Sequence, residues 1–190
     1  FSESNPEMVA EDSDVIFTAL PHGVSAQLVP VFYNLGKKVI DLSGDFRYNS
    51  SETYEKWYGL SHPHPDLLKI SVYGLPELHR EKIKKSQIVG NPGCYTTCSI
   101  LGMAPLVAEN IIDLDSIIID AKSGATGAGR SPSQDLHFCE VNENIKAYKV
   151  AVHRHTSEIE QELSLLAGRD ISLSFTPHLL PIKRGILCTM

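Results

Sequence analysis

The sequence predicts an α/β fold built on parallel strands, in two domains. Three observations carry this reading. Short β-branched and aromatic runs alternate with stretches of helical periodicity. The first strand, helix and strand follow one another within about 30 residues, the length of a right-handed βαβ unit. The composition then changes near residue 92, which divides the chain into residues 1–92 and 93–190.

Residues 14–20, DVIFTAL, read as a buried strand closed by Pro21 and Gly23. The next stretch, VSAQLVPVFYNLGKK, places Val24, Leu28, Val31 and Leu35 at helical spacing. Gly36 stops it, and Pro30 predicts a kink or a late start. Residues 38–44, KVIDLSG, form the second strand. Residues 45–85 are rich in Tyr, His and Pro and are expected to be irregular, packing over a sheet edge. SQIVG, residues 86–90, is a strand that delivers the chain into NPGC. Residues 95–107 read as a helix that Gly102 and Pro105 break or bend. SIIIDA, residues 116–121, is a strand followed by the loop KSGATGAGRSP, and IKAYKVAVH reads as another strand. TSEIEQELSLLAG is a helix: Ser157 and Glu160 have capping-box spacing, Ile159, Leu163 and Leu166 form its apolar stripe, and Gly168 ends it. DISLSFTPHLLPI is a last strand pair or one extended strand.

Composition narrows the partners. The 190 residues are 42% hydrophobic, enough to bury a real core. A formal net charge of -6 argues against nucleic acid or an anionic membrane as the main partner. No apolar run reaches the ~20 residues that span a bilayer. Four sparse cysteines do not make a secreted disulfide framework, so a reducing, cytoplasmic compartment with free thiols is expected. The chain opens on Phe1 and closes on RGILCTM, and it reads as the middle of a longer polypeptide.

Cys94 stands where a strand gives way to a helix, with Pro92 and Gly93 making the turn. A helix start favours a thiolate and offers backbone N–H groups to an oxyanion, so Cys94 is a candidate nucleophile. A buried structural cysteine and a disulfide with Cys98 are the other readings. Cys98, one turn further, is expected in the core. In HRHTSEIEQE, His153 and His155 would share one face of a strand, and either could serve Cys94 as general acid and base. A metal pair joined by His137 and Cys139, or surface histidines flanking Arg154, are the competing readings.

KSGATGAGRSP could bring N–H groups to a phosphate, although it matches neither G-x-G-x-x-G nor the P-loop; a flexible loop explains it equally. LPHG and DLSGDFR fall at the C-terminal edge of the parallel sheet, where ligands bind in doubly wound folds. Asp45 and Arg47 are therefore cleft candidates, or a surface ion pair. Lys183 and Arg184, in LPIKRGI, could clamp an acidic substrate or be solvated.

Together LPHGVS, DLSGDFR, YGLPEL, GNPGCY, SGATGAGR, EVNENIKAYKVAVHRH and FTPHLLPIKRGI, in this order, resemble the N-acetyl-γ-glutamyl-phosphate reductase family of arginine biosynthesis. The resemblance implies part of a Rossmann-type dinucleotide-binding domain in residues 1–92. It implies an α+β catalytic domain of the semialdehyde and glyceraldehyde-phosphate dehydrogenase type in residues 93–190. Members begin with a strand, a glycine-rich phosphate loop and a helix that would precede Phe1, and they continue past RGI. The implied chemistry is reduction of N-acetylglutamyl 5-phosphate to the semialdehyde by NADPH, through a thioester on Cys94, with His155 as acid and base because it adjoins a helix start. Arg47, Arg130, His153 and Arg184 would meet the substrate; Pro21, His22, Ser123, Gly124 and Gly127 would meet NADP(H); no metal is implied. A homo-oligomer, dimer or tetramer, would be the working form. The family usually has Pro where Thr96 and Ser157 stand. The alternatives are the N-acetyl-α-aminoadipyl-phosphate reductase of lysine synthesis, whose substrate is one methylene longer, and a non-catalytic module that keeps the fold.

Overall fold

The computed structural model describes residues 5–190, and the chain divides into two compact units, Phe1–Gly93 and Cys94–Met190.

In the first unit, helix α1 (Pro6–Glu11) is capped by Asn5, whose Oδ1 accepts from the N–H of Glu7 at 2.8 Å. Strand β1 (Val15–Thr18), helix α2 (Ser25–Asn34) and strand β2 (Lys38–Asp41) make the expected βαβ unit. Strand β4 (Ile88–Gly90) pairs with β2, and strand β3 (Val72–Tyr73) pairs with β4, giving the all-parallel order β1-β2-β4-β3. The core gathers Ile16, Val29, Phe32, Val39, Phe46, Leu68 and Ile88.

Three expectations for this unit need correction. β1 is not buried on both faces: Val15 and Phe17 are exposed while Ile16 and Thr18 point inward, the alternation of a half-covered strand. α2 runs through Pro30 as one helix, and its buried face is Ala26, Val29, Pro30 and Phe32, with Val24 and Leu35 exposed. Residues 45–85 are regular rather than irregular. They form α3 (Ser51–Tyr58), α4 (Pro65–Leu68), β3 and α5 (Pro76–Lys85), and β3 supplies the sheet edge itself.

The C-terminal edge of this sheet is a buried polar network. Asp41 Oδ1 accepts from the hydroxyls of Thr18 at 2.8 Å and Ser25 at 2.5 Å, and Asp41 Oδ2 accepts from the Ser43 hydroxyl at 2.6 Å. Asp45 Oδ2 accepts from the N–H groups of Gly23 at 2.8 Å and Ala26 at 2.9 Å, so a carboxylate distant in sequence caps α2. Tyr54 donates to Asp45 Oδ1 at 2.9 Å, and burial followed by this bond pushes its hydroxyl pKa up.

The second unit is a mixed sheet under two helices, α6 (Cys94–Ala108) and α8 (His155–Ala167). Strand order is β6-β7-β5-β8. β5 (Ile118–Gly124) runs parallel to β7 (Ser174–Leu180) and antiparallel to β8 (Ile186–Thr189), and β6 (Lys146–Ala147) runs antiparallel to β7. Ile119 and Ala121 of β5 and Phe175 of β7 are buried, while Ile118 and Leu187 stand exposed on the other face. α7 (Phe138–Val141) and two short 3-10 turns fill the connection after β5.

Here too the sequence misleads in places. Gly102 and Pro105 do not break α6, which is continuous over 15 residues. IKAYKVAVH is a strand only at Lys146–Ala147; Lys149 and Ala151 adopt positive φ of 46° and 59° and turn the chain away. The Ser157–Glu160 capping box does not form. Ser157 donates to the Arg154 carbonyl at 3.0 Å, and Glu160 accepts from the N–H of Leu173 at 3.1 Å. The final strand pair is real, but its second member lies in RGILCTM rather than before it. Cys98 is half-buried rather than in the core. Among the described residues, no helix is long and apolar enough to cross a membrane.

Candidate active site

The chain leaves β4 at Gly90, Asn91 donates its N–H to the Asp41 carbonyl at 2.8 Å, and Cys94 is the first residue of α6. Its thiol is exposed, and all four cysteines are free. A residue in that position lies among the N–H groups that a helix start leaves without intrahelical partners, at the positive end of its dipole.

The histidines do not share a strand face. His153 lies in the turn before α8, and His155 is the first residue of that helix. The N–H of His155 donates to His153 Nδ1 at 3.1 Å, and the two rings meet edge to face at 4.7 Å. Burial, reinforced by the charge of His155, pushes the His153 imidazole down to about 3, so it is neutral near pH 7.

An aromatic wall joins the two helix starts. The Tyr95 ring lies 5.7 Å from His153, 6.0 Å from His155 and 5.5 Å from Phe175. Tyr148 donates its hydroxyl to Tyr95 at 3.1 Å, and Tyr95 donates to the His178 carbonyl at 3.1 Å. Burial raises both phenols. The Tyr95 bond and then the charges of Tyr95 and Cys94 raise Tyr148 further. Tyr95, Tyr148 and Phe175 were not singled out from sequence, although two of them stand inside GNPGCY and IKAYKV. Deeper in, Thr96 donates its hydroxyl to Glu158 Oε1 at 3.0 Å, with both residues fully buried. The first turns of α6 and α8 are therefore in contact, and Cys94 and His155 open those same turns.

The loops after β5 and β7 are stitched together. Gly124 N–H donates to the Gly185 carbonyl at 3.0 Å, Ala125 N–H to Ile182 at 2.8 Å, and Thr126 N–H and hydroxyl to Lys183 at 3.1 and 2.5 Å. A Cβ on Gly124 would stand 2.8 Å from the Lys183 and Arg184 backbone, so only glycine permits this approach. Ser123 is buried beneath the joint, while Gly127, Arg130, Lys183 and Arg184 are exposed around it. His137 and Cys139 join no cluster: among the described residues, no three His, Cys, Asp or Glu gather as a metal site. In the first unit, Pro21 is exposed, His22 Nδ1 accepts from the Gly44 N–H at 2.9 Å, and buried Arg47 donates to the Leu42 carbonyl at 3.2 Å.

Residues 94–190 match the family model described as semialdehyde dehydrogenase, dimerisation domain, and residues 1–86 match semialdehyde dehydrogenase, NAD binding domain. The chain belongs to the semialdehyde dehydrogenase family. Within this semialdehyde dehydrogenase family, the N-acetyl-gamma-glutamyl-phosphate reductase of Caldicellulosiruptor saccharolyticus is 60% identical over 190 residues, covering 100% of this chain and 55% of the relative. The protein of the same name from Acetivibrio thermocellus is 58% identical over 188 residues, covering 99% of this chain and 54% of the relative. The chain thus spans about half the length of the curated relatives it matches. Among solved structures, aspartate semialdehyde dehydrogenase II from Vibrio cholerae superposes with a TM-score of 0.66 at 14% identity, covering 94% of this chain and 55% of that one. Aspartate semialdehyde dehydrogenase with NADP from Candida albicans gives 0.59 at 14% identity, covering 94% and 50%. These likenesses establish the α/β fold of this semialdehyde dehydrogenase family member.

Proposed function

We propose that this chain carries the thiol-bearing centre of an NADPH-dependent reductase that converts N-acetyl-L-glutamyl 5-phosphate to the 5-semialdehyde. The observation that carries the proposal is the meeting of two helix starts, one opened by Cys94 and the other by His155, across the Tyr95 ring. His155 takes the thiol proton. Cys94 Sγ bonds to the acyl carbon, the carbon–oxygen bond to phosphate breaks, and inorganic phosphate leaves a thioester behind. N–H groups at the start of α6 stabilise the oxyanion formed during attack. NADPH, when bound, supplies the hydride that reduces the acyl carbon to the aldehyde level. His155 moves protons at the carbonyl oxygen and at the departing sulfur. His153, held neutral, fixes the His155 backbone and does not exchange protons near pH 7. Exposed Arg130 and Arg184 suit the phosphate or the carboxylate. Arg47, whose Nη2 is committed to a backbone carbonyl, is a third candidate for substrate from the first unit.

One helix start offers such a cofactor no anion site. The start of α2 is closed to phosphate because Asp45 already takes its N–H groups. Pro21 and His22 on that loop, with Ser123, Gly124 and Gly127 in the second unit, remain the proposed contacts. The boundary between the two domains is proposed at residues 92–93. The open face of the second sheet, with Ile118 and Leu187 exposed, is proposed to pair with a second copy, in keeping with a domain family described by dimerisation.

The deciding experiment is Cys94→Ser in the full-length polypeptide. Serine keeps the shape and hydrogen bonding of the site but ionises poorly, so turnover of the acyl phosphate should vanish while the fold and NADPH affinity persist. More than a few per cent residual turnover would overturn the assignment. Iodoacetamide at pH 7 should modify Cys94 far faster than Cys98, Cys139 or Cys188; burial, followed by the Cys98 bond, pushes the Cys188 thiol up to about 12.

A further inference from the structure

We infer that Thr96 is a positioning residue: its hydroxyl latches onto the buried carboxylate of Glu158 and so fixes which way Cys94 faces at the start of α6. This rests on the role proposed above for Cys94.

Thr96 is the third residue of α6 and Glu158 the fourth of α8, and both are fully buried. The bond between them, 3.0 Å from Thr96 Oγ1 to Glu158 Oε1, crosses between the first turns of the two helices. A carboxylate withdrawn from water is costly unless its oxygens are satisfied. Glu158 is partly relieved by the positive end of its own helix, which favours anions in the first turn. The Thr96 hydroxyl supplies a directional partner from the other helix.

Direction is what distinguishes this contact from apolar packing. The buried apolar residues of the two helices include Ile100, Met103, Ile159 and Leu163, whose burial is a non-directional contribution. Residue 96 is about 200° around the helix from residue 94 at about 100° per residue. Pinning Thr96 inward therefore turns Cys94 to the opposite side, where its thiol is exposed. On α8, Glu158 is three residues from His155, and residues so spaced share a face. This hydrogen bond therefore helps to set the rotation of both first turns, beside the bond from Tyr95 to the His178 carbonyl. A displacement of about 1 Å between reacting groups can cost about 100-fold in rate.

The test compares Thr96→Val with Thr96→Ser in the full-length polypeptide. Valine copies the shape and removes the donor; serine keeps the donor. For Thr96→Val, kcat should fall by about 10-fold to 100-fold with KM nearly unchanged, and the rate of Cys94 alkylation by iodoacetamide at pH 7 should shift with it. Thr96→Ser should restore both to within about twofold of the parent. If the valine chain does not fold, Thr96→Ala removes the same hydroxyl without added bulk and carries the same expectation. A lower melting temperature with unchanged kcat and unchanged alkylation would overturn the latch, as would equal losses in the valine and serine chains. A parent chain inactive on the acyl phosphate would overturn the reductase reading alone, since alkylation reports the latch without turnover.

Discussion

His153 and His155 are two residues apart, and the proposed mechanism gives them opposite tasks. His153 is enclosed by the rings of Tyr95, Tyr148 and Phe175, and its Nδ1 already accepts a backbone N–H. Replacing His155 by Asn should cut turnover by about 10²–10⁴-fold, the usual worth of general acid–base catalysis. His153→Asn should cost clearly less, because Asn Oδ1 can take over the N–H of His155. A larger loss at 153 would reverse the assignment. His153 also carries a stability signature. Unfolded, it binds a proton near 6.5, and folded only near 3. The unfolded state therefore binds more protons in that window, so its contribution is present above 6.5 and lost as pH falls toward 3. The gap in melting temperature between the parent and His153→Asn should move against the parent as pH drops from about 7 to about 5. A gap independent of pH would show that His153 is not buried in neutral form.

Among the elements, the joint between the β5 and β7 loops has the least tolerance. Gly124→Ala would drive a Cβ into backbone atoms 2.8 Å away, which cannot swing aside as a side chain could. A loss of about 1–3 kcal/mol is expected, read as a lower melting temperature together with faster tryptic cleavage after Lys183 and Arg184. An unchanged cleavage rate would mean that the joint is not what holds this loop. Helix α8 was legible in the sequence because fully buried Ile159 and Leu163 give it a stripe. Helix α5 was not, because none of its residues is buried and it has no stripe to read. α2 hid its inward face behind Ala26 and Pro30, residues that carry little hydrophobic signal. The brevity of β6 was illegible because Lys149 and Ala151 occupy left-handed backbone positions where glycine would have announced a turn.

At the scale of the whole chain, each unit has its own sheet, and the second leaves one sheet face uncovered by helices. On that face His178 Nδ1 lies 2.9 Å from Asp120 Oδ1 and Lys122 Nζ lies 2.5 Å from Asp120 Oδ2, a charged cluster flanked by exposed Ile118 and Leu187. Leu187→Asp would place a charge opposite its register partner Lys122 in the middle of the proposed contact between copies. Sedimentation velocity should then report a smaller species than the parent, with the far-UV spectrum unchanged; an unaltered sedimentation coefficient would move the contact elsewhere. Cys94 was legible because a strand, a Pro-Gly turn and a helix follow in order. The place of His155 beside a helix was legible from the helical pattern that follows it, while its role as acid and base is a proposal. Their aromatic wall was not, since Phe175 reaches it from β7 and Tyr148 from a turn, contacts that no local spacing encodes. Thr96 and Ser157 stood out only as departures from a proline pattern, and each proves to spend its hydroxyl on a hydrogen bond.

Opening a helix also frees a side chain. Within a helix, χ1 near +60° is rare because it drives the side chain into the preceding turn. Cys94 opens α6 with no helical turn before it, so all three staggered positions are open to it. On the proposed mechanism the thiol can therefore point one way in attack and another while the thioester is reduced, with the backbone at rest. A β-branched residue at that position would forfeit this, being stiff at χ1 wherever it is placed. The same thiol four residues deeper would carry identical chemistry with a single aim.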